Sequence, residues 1–460
     1  MLVEQFHGLL EQGWQPAFAQ ARSHHRALEH ALAGPCTLGR RTLSRTVCAL
    51  GRSEQDWSAD YKLFSRSGWE PEALFDPVWD DYLGRFPQGP IPVAFDDTRL
   101  PKTGKKVPGA FWQRDPLSPP FHVNLLYGLR FVQASLLFAH HQEGDYSARG
   151  FPVHFQEAPT VKKPGQRASP QQRKAYRALQ KQQNLSTQTL AVIRGLRARL
   201  DERGARHRRL LAALDGSFCN QTLCKAQLDR TQLLARCRKD ARLCFPAAPG
   251  SGRKYAPEVF TPEGVRQDGS RPWKKTRVWF GGKRRAARYK EVRGVLWRRG
   301  AGTRLLRLIV LAPVPYKLSK HSRTYYRRPA YLLTTDPSSS VKRLVQTYFD
   351  RWQIEVNHRD EKDLLGVGQA QLRSARSVPR HPAFVVASYS LLLLAGLRAF
   401  GPGRSRDYPA LPKWRRNARR ASLLDLLTLL RKELMAINET SVSEVLDHNI
   451  AKNLLRYANT

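Results

Sequence analysis

The chain has 460 residues, 41% hydrophobic and 10% aromatic, so it is long enough for several domains and too apolar for a disordered protein. It carries 78 Lys and Arg residues against 38 Asp and Glu residues, a formal net charge of +40. This surplus predicts a polyanionic partner, most often nucleic acid, although a basic, solvated surface such as that of a ribosome-associated protein would give the same composition.

The cysteine content and the apolar segments indicate the compartment. Six cysteines are too few for a disulfide scaffold, and the spacing of the last four is not that of a usual zinc site. The N-terminus lacks a basic start followed by an apolar stretch, and the most apolar run, 384–400, is interrupted by two serines. We therefore expect reduced thiols, a buried helix rather than a membrane span, and a cytoplasmic, nucleoid-associated protein with no membrane partner.

Residues 1–90 form the first predicted region, which is helical. The segment 16–34 is amphipathic and ends at a glycine, and 36–52 is a second short helical segment with four arginines. Two short helices joined by a glycine-containing turn are typical of a DNA-binding helix-turn-helix. A plain helical cap would have the same pattern, so both interpretations stay open for this region, and DNA binding is the function expected of it.

Residues 91–244 form the first part of the predicted catalytic core. The strand candidates are 91–98, two strands around the Gly128 turn in 122–139, 208–217 and 230–244, with a long basic helix over 171–200. Residues 245–335 are rich in Gly, Pro, Arg and Trp and carry short strand candidates, which predicts a basic, mostly antiparallel β insertion.

The remaining residues are predicted to be helical. Residues 336–400 complete the core, with one helix over 341–364 and another over 381–399, and 401–460 form a basic helical C-terminal region suited to dimerisation. There is no internal repeat. The fold class is therefore α/β, with a mixed sheet, flanking helices, a β-rich insertion, and helical N- and C-terminal regions.

Two aspartates, Asp97 and Asp215, each end an apolar strand candidate. Carboxylates at neighbouring strand ends are held rigidly and provide the oxygen ligands that Mg²⁺ prefers, and a pair of such ions supports phosphodiester cleavage. Asp97 alternates with Ile91, Val93 and Phe95 onto one strand face, so it is preferred to Asp96. Either aspartate alone could equally cap a turn.

A third carboxylate belongs to a stripe on the helix over 341–364. At about 100° per residue, Tyr348, Arg351, Glu355 and Lys362 fall within about 60° of one another. A metal ligand flanked by phosphate-binding groups suits a phosphodiester nuclease, whereas a surface helix with an Arg351–Glu355 pair would be the bland alternative. The stripe is expected to lie at the surface, and Glu361, which points away from it, is expected to be dispensable.

The spacing of these four residues is specific. The pattern resembles the signature of the bacterial insertion-sequence DDE transposases that move their element by cut and paste: Tyr, then Arg after two intervening residues, Glu after three more and Lys after six more. The Asp97-Thr98 pair, the segment around Asp215 and the approach to Glu355 also resemble that family, over about residues 91–400. The resemblance implies a ribonuclease-H-like catalytic core, a mixed five-stranded sheet flanked by helices, with a β insertion before the Glu helix.

The resemblance also implies roles. Asp97, Asp215 and Glu355 would be catalytic and hold two Mg²⁺ or Mn²⁺ ions, while Tyr348, Arg351 and Lys362 would bind DNA phosphates. The partner would be double-stranded DNA, both terminal inverted repeats and target, bound by a homodimer. The family traps a flipped base with a tryptophan of the insertion, for which the candidates here are Trp273, Trp279 and Trp297.

Three other functions are compatible with parts of the pattern. They are a catalytically inactive or domesticated DNA-binding relative, a ribonuclease-H-like nuclease such as a junction resolvase that does not transfer strands, and a basic RNA-binding protein. The complete signature disfavours the first and the large insertion disfavours the second. The absence of an aromatic RNA-recognition motif disfavours the third.

Overall fold

The structure is a computed structural model that describes residues 1–115, 118–119, 121–318, 321–415 and 418–436. Its helices are α1 (Leu2–Trp14), α2 (Ala21–Cys36), α3 (Leu43–Ala49), α4 (Ser58–Ser65), α5 (Asp76–Arg85), α6 (Pro170–Gln182), α7 (Leu185–Glu202), α8 (Gln221–Cys224), α9 (Pro262–Gln267), α10 (Val341–Asp350), α11 (Gln353–Asp363), α12 (Ser377–Phe400) and α13 (Leu423–Ala436). Its strands are β1 (Ile91–Pro101), β2 (Phe111–Arg114), β3 (Leu125–Phe138), β4 (Arg149–Glu157), β5 (Leu210–Leu214), β6 (Thr231–Arg236), β7 (Lys274–Phe280), β8 (Lys283–Val295), β9 (Leu306–Leu311), β10 (Pro315–Tyr316), β11 (Tyr325–Tyr326) and β12 (Ala330–Thr334).

Ten of these strands form one mixed, mostly antiparallel sheet. Its order is β2-β3-β1-β5-β6-β12-β9-β8-β7, with β4 also paired to β3. The β1–β5 and β5–β6 pairs are parallel and the other pairs are antiparallel. Strand β5, Leu-Leu-Ala-Ala-Leu, is buried throughout, as expected for a parallel strand covered on both faces. The predicted α/β class is confirmed.

Strand β3 is a single 14-residue strand, so the prediction of two strands around Gly128 is wrong. Gly128 lies inside the strand, opposite Pro101 of β1 and Phe111 of β2. A Cβ atom at Gly128 would lie 2.3 Å from the carbonyl oxygen of Leu100. The glycine is therefore needed for a close approach of two backbones rather than for a turn.

The predicted β insertion continues the sheet of the core. Strand β12 pairs with β6 on one side and with β9 on the other, and β8 and β7 follow in order. Apolar side chains of these strands are buried on both faces of this half of the sheet, in two clusters that include Leu308 and Ile309. The strands of 245–335 and those of 91–244 therefore form one structural unit.

Helix α12 lies at the centre of the helical layer. Among the described residues it is the one helix long and apolar enough to span a membrane, but 78% of its most apolar window is buried inside the protein. Helices α1, α4, α5 and α13 pack against it, and strand β4 contacts it from the sheet. The prediction of a buried helix is confirmed, and this burial is consistent with a soluble protein.

The N- and C-terminal regions share the main hydrophobic core with the sheet. Leu10 of α1, Phe95 of β1 and Leu430 of α13 belong to one continuous cluster of buried side chains. Residues 437–460, part of the segment predicted to serve dimerisation, lie outside the described residues.

The long basic helix predicted over 171–200 is two helices. Ser169 caps α6, and Asn184 begins α7 by accepting a hydrogen bond from the amide of Thr187. Helix α7 buries one face, including Ile193 and Leu200, whereas no residue of α6 is buried. Helix α6 is therefore an exposed basic arm that adds nothing to the core.

Candidate active site

The register of the two central parallel strands brings two aspartates together. Phe95 of β1 lies opposite Leu214 of β5, so the next residue pair is Asp96 and Asp215. Residues opposite each other in neighbouring strands point to the same face of the sheet. The negative charge of Asp215 helps to raise the pKa of Asp96, which agrees with this closeness.

Asp97 points to the other face of β1. Its Oδ2 accepts a hydrogen bond of 2.8 Å from Nε of Arg130 on β3. Sequence alternation favoured Asp97 because it shares a face with Phe95, but Phe95 faces the main core. The face of Ala94 and Asp96 packs beneath the Glu helix, where Ala94 contacts Ile354. The structure thus differs from the sequence expectation, and Asp96 is the β1 aspartate that lies beside Asp215.

The Glu helix is interrupted. The prediction of one helix over 341–364 is wrong, because α10 ends at Asp350 and α11 begins at Gln353. Between them the amide of Trp352 donates to the carbonyl of Phe349 and that of Ile354 to Arg351, both across three residues. Such a tightened turn rotates about 120° per residue instead of about 100°, so over its three residues α11 is rotated by roughly 60° relative to α10, compared with one continuous helix.

Arg351 lies at this break and joins the carboxylates. Its Nη2 donates to Oε1 of Glu355 at 3.0 Å and lies 3.9 Å from Oδ1 of Asp215. The residue is only 7% exposed, so the expectation of a surface arginine is wrong. Its Nε and Nη1 atoms are buried and have no hydrogen-bond partner among the described residues. A guanidinium with two buried free donor atoms is suited to bind an additional anionic group.

The local charges perturb the acids of the site. Burial raises the pKa of Asp96 to about 7, and the negative charges of Asp97 and Asp215 add to the effect, while Arg351 opposes it. Burial also raises the pKa of Glu355, again opposed by Arg351 and reinforced by Asp215. The site therefore holds carboxylates that are costly to ionise together, as expected where several acids converge.

The two outer members of the stripe lie at different ends of the site. Burial raises the pKa of Tyr348, with Asp215 and Glu355 acting in the same direction and Arg351 against it. Burial lowers the pKa of Lys362, while Asp96 raises it. Tyr348 is thus close to Asp215 and Glu355, and Lys362 is close to Asp96. All six predicted residues except Asp97 lie around one cluster.

Sequence reasoning missed two buried groups of α11. His358 lies one turn after Glu355, its Nε2 is buried and has no hydrogen-bond partner in the described part of the chain, and burial together with Lys362 lowers its pKa to about 3. Glu361, expected to be peripheral, is 1% exposed, and burial raises its pKa to about 8 against a lowering effect of Gln133. The Glu-x-x-His spacing would have indicated His358, since residues three apart share a helix face.

The acidic cluster has the chemistry of a divalent-cation site but is not assembled as one. Asp96, Asp215 and Glu355 offer only oxygen donors, which suits Mg²⁺ or Mn²⁺. In the part of the chain that the structure describes, no group of three or more His, Cys, Asp or Glu side chains is placed to hold a metal ion. The cation that joins Asp215 to Glu355 is Arg351. All six cysteines are free, as the sequence predicted.

Comparison of the sequence with protein-family models and with curated proteins finds no match.

The three tryptophans proposed for base trapping have different surroundings. Trp279 is 6% exposed and its Nε1 donates to Oγ of Ser147. Trp273 lies beneath Nζ of Lys290, 4.8 Å from the ring centroid, and Trp297 packs at the edge of a hydrophobic cluster. Trp279 is a core residue with a satisfied N–H, and none of the three lines the carboxylate cluster.

Proposed function

We propose that the protein is a DNA transposase that binds the ends of an insertion sequence and catalyses metal-dependent phosphodiester cleavage and strand transfer. The observation that carries the proposal is the convergence of Asp96, Asp215 and Glu355 on Arg351, whose buried Nε and Nη1 atoms lack partners. An acidic cluster beside a guanidinium that keeps two donor atoms for a further anion, in a chain of net charge +40, suits the binding and cleavage of a phosphodiester.

The carboxylates of the site are the type of ligand that this chemistry needs, and the described side chains would have to move together to hold an ion. Asp96, Asp215 and Glu355 would hold Mg²⁺ or Mn²⁺, which when bound polarises the phosphodiester and activates the attacking hydroxyl or water. Asp96, with a pKa of about 7, is largely protonated below neutrality and must lose its proton before it can act as a ligand. Asp97, already bonded to Arg130, serves better as a support of β1 than as a ligand.

The positive groups of the site have separate tasks. Arg351 has two donor atoms without partners among the described residues, Nε and Nη1, on different edges of its planar guanidinium, and each can donate to a phosphate oxygen in a geometry that Lys could not supply. Lys362 lies near Asp96 and would bind a phosphate at that end, and Tyr348 would bind one near Asp215 and Glu355. His358 is held neutral by burial, and its free Nε2 can accept or donate one hydrogen bond inside the site.

Helix α6 supports a DNA partner. Lys174, Arg177 and Lys181 are spaced three and four residues apart, so they share one face of the helix. These side chains are exposed and have no ion-pair partner among the described residues. A short helix without buried residues is marginal alone, and a DNA backbone along this face would stabilise it through phosphate contacts.

The central strands support a ribonuclease-H-like core. Strand β3 runs antiparallel to both of its neighbours, β4 and β1, and β5 and β6 run parallel to β1, which gives a mixed five-stranded unit. Asp96 lies in the middle of β1, Asp215 directly follows β5, and the Glu helix follows β12. We extend the proposal to terminal inverted repeats and target DNA as partners, a homodimer on DNA, and a nucleoid-associated location.

The proposal is tested with purified full-length protein and linear DNA that carries the sequences flanking its gene. With Mg²⁺ we expect nicking at the element end and joining to a supercoiled target plasmid. Asp215→Asn and Glu355→Gln should lose both activities by at least about 10³-fold and still retard the DNA, because metal ligands are needed for chemistry and phosphate contacts for binding.

The outcome also separates the alternatives. Cleavage without joining would favour a ribonuclease-H-like nuclease, and binding without cleavage would favour an inactive relative. Cleavage that persists in both Asp215→Asn and Glu355→Gln would refute the proposed site.

A further inference from the structure

A cavity of about 440 Å³ lies outside the carboxylate cluster, between the β7–β8 hairpin, helix α10 and the segment that leads into β1. Its polar lining includes Arg277 and Arg284 of the hairpin, Lys342 and Arg343 of α10, and Asp350 at the end of α10. None of Asp96, Asp215 or Glu355 lines it. Its size is within the range of small-molecule sites.

The cavity has an uncompensated positive charge. Within the described ranges, the side chains of Arg277, Lys342 and Arg343 have no ion-pair or hydrogen-bond partner. Arg284 is the exception, because its Nη2 donates to the carbonyl of His141 at 3.2 Å and its Nε lies 3.8 Å from Oδ1 of Asp145. The three unpaired cations around one cavity repel one another unless an anion joins them.

The one carboxylate of the lining cannot supply that anion. Oδ2 of Asp350 is bonded at 2.8 Å to Nε2 of His141, and its Oδ1 accepts a bond of 2.9 Å from Nε2 of Gln346. The group is 8% exposed, so its charge is turned to these partners rather than to the mouth of the cavity. The unpaired cations therefore face a cavity whose positive charge must be neutralised by an external anion.

We propose that this cavity is a phosphate-binding subsite, distinct from the carboxylate cluster, that takes a ligand with two or more phosphate groups. Two of its three unpaired cations, Arg277 and Arg343, are guanidinium groups, which bind phosphate oxygens in a fork. Ser340, the N-cap of the ten-residue helix α10, also lines the cavity, so the positive end of that helix faces the same space. Successive phosphates of a nucleic acid strand and the polyphosphate of a free nucleotide share this chemistry.

The test uses full-length protein and inorganic pyrophosphate, titrated by calorimetry at low ionic strength. We expect one saturable site, weakened about ten-fold by Arg277→Gln and by Lys342→Gln, since each removes a charge-assisted contact. Lys283→Gln is the matched control, because Lys283 is an exposed lysine of the same hairpin, has no side-chain partner among the described residues and lies outside the cavity lining. It should bind pyrophosphate as the unchanged protein does.

Displacement of pyrophosphate by duplex DNA of unrelated sequence would assign the subsite to a nucleic acid backbone, and displacement by ATP alone would assign it to a free nucleotide. Either result supports the subsite. No saturable binding, equal weakening by Lys283→Gln, or failure of both competitors would overturn it. Glu355→Gln, which should abolish cleavage, should leave pyrophosphate affinity unchanged, so this inference and the proposed transposase activity fail separately.

Discussion

Neutralising the two adjacent aspartates of β1 should change stability in opposite directions. Asp96 is buried, with a pKa raised from 3.8 to about 7. Its folded-state pKa lies above its unfolded value, so the folded protein binds more protons between about pH 4 and pH 7. The free energy of unfolding therefore falls as pH rises through this window, and the loss is complete above pH 7.

The size of the effect follows from the pKa. A rise from 3.8 to about 7 corresponds to roughly 4 kcal/mol, since each pKa unit is worth about 1.36 kcal/mol. Asn keeps the size of Asp but still has a buried amide to satisfy, so Asp96→Asn should gain about 1–3 kcal/mol at pH 8 and little at pH 4. Asp97→Asn loses the charge of its 2.8 Å bond with Arg130 and should cost about 1–2 kcal/mol at pH 8.

Thermal melting without divalent cations, at pH 4.5 and pH 8, measures both variants. We expect Asp96→Asn to melt a few degrees higher than the unchanged protein at pH 8, Asp97→Asn to melt lower, and cleavage to be lost only in Asp96→Asn. A lower melting temperature for Asp96→Asn at pH 8, or lost cleavage in Asp97→Asn with intact folding, would refute the assignment of Asp96 to the site.

Three further predictions follow from the same contacts. Arg351→Lys should lower the melting temperature by several degrees, because the residue is 7% exposed, and an unchanged melting temperature would contradict this burial. Cleavage should also fall by at least about ten-fold, because Lys lacks the planar set of donor atoms of the guanidinium. Glu361→Gln should keep cleavage and flatten the pH dependence of stability between about pH 4.5 and pH 8. Because the pKa of Glu361 is raised to about 8, the folded protein binds one more proton than the unfolded protein in this window, and an unaltered pH profile of melting would contradict this. Changing Lys174, Arg177 and Lys181 together to Gln should leave the melting temperature unchanged. In gel-shift titrations the slope of log affinity for DNA against log salt should fall by about 2–3, and an unchanged slope would show that α6 does not contact DNA.

The sequence predicts elements well where the pattern is local. Strands β5 and β9 have apolar runs of strand length, and α12 has a helix-length apolar run. The errors come from tertiary contacts. In the sequence, Gly128 predicts a turn, whereas in the structure it allows the close approach of β3 to β1. The break at Arg351 contains no Gly or Pro, so no residue in the sequence indicates it.

The candidate site shows the same division. The spacing of Tyr348, Arg351, Glu355 and Lys362 indicated the helix residues without structural information. Alternation along β1 could not choose between Asp96 and Asp97, because both faces of the strand are covered: Ala94 lies under α11 and Phe95 faces the main core. Only the register with β5 distinguishes them, and register depends on pairing across more than 100 residues of chain.

Because the sheet is continuous, the distance between the basic β7–β8 hairpin and the carboxylate cluster is set by the strands that lie between them. From β5, which carries Asp215 at its end, to β7 there are five steps between neighbouring strands, through β6, β12, β9 and β8. At about 4.8 Å a step the span is about 24 Å, close to seven base pairs of duplex at about 3.4 Å each. Every step is a backbone ladder, so this distance cannot change without breaking strand pairing. On the proposed function, a DNA duplex gripped by the hairpin would present the scissile bond at a fixed offset, set by the number of strands rather than by recognition of the cleaved sequence.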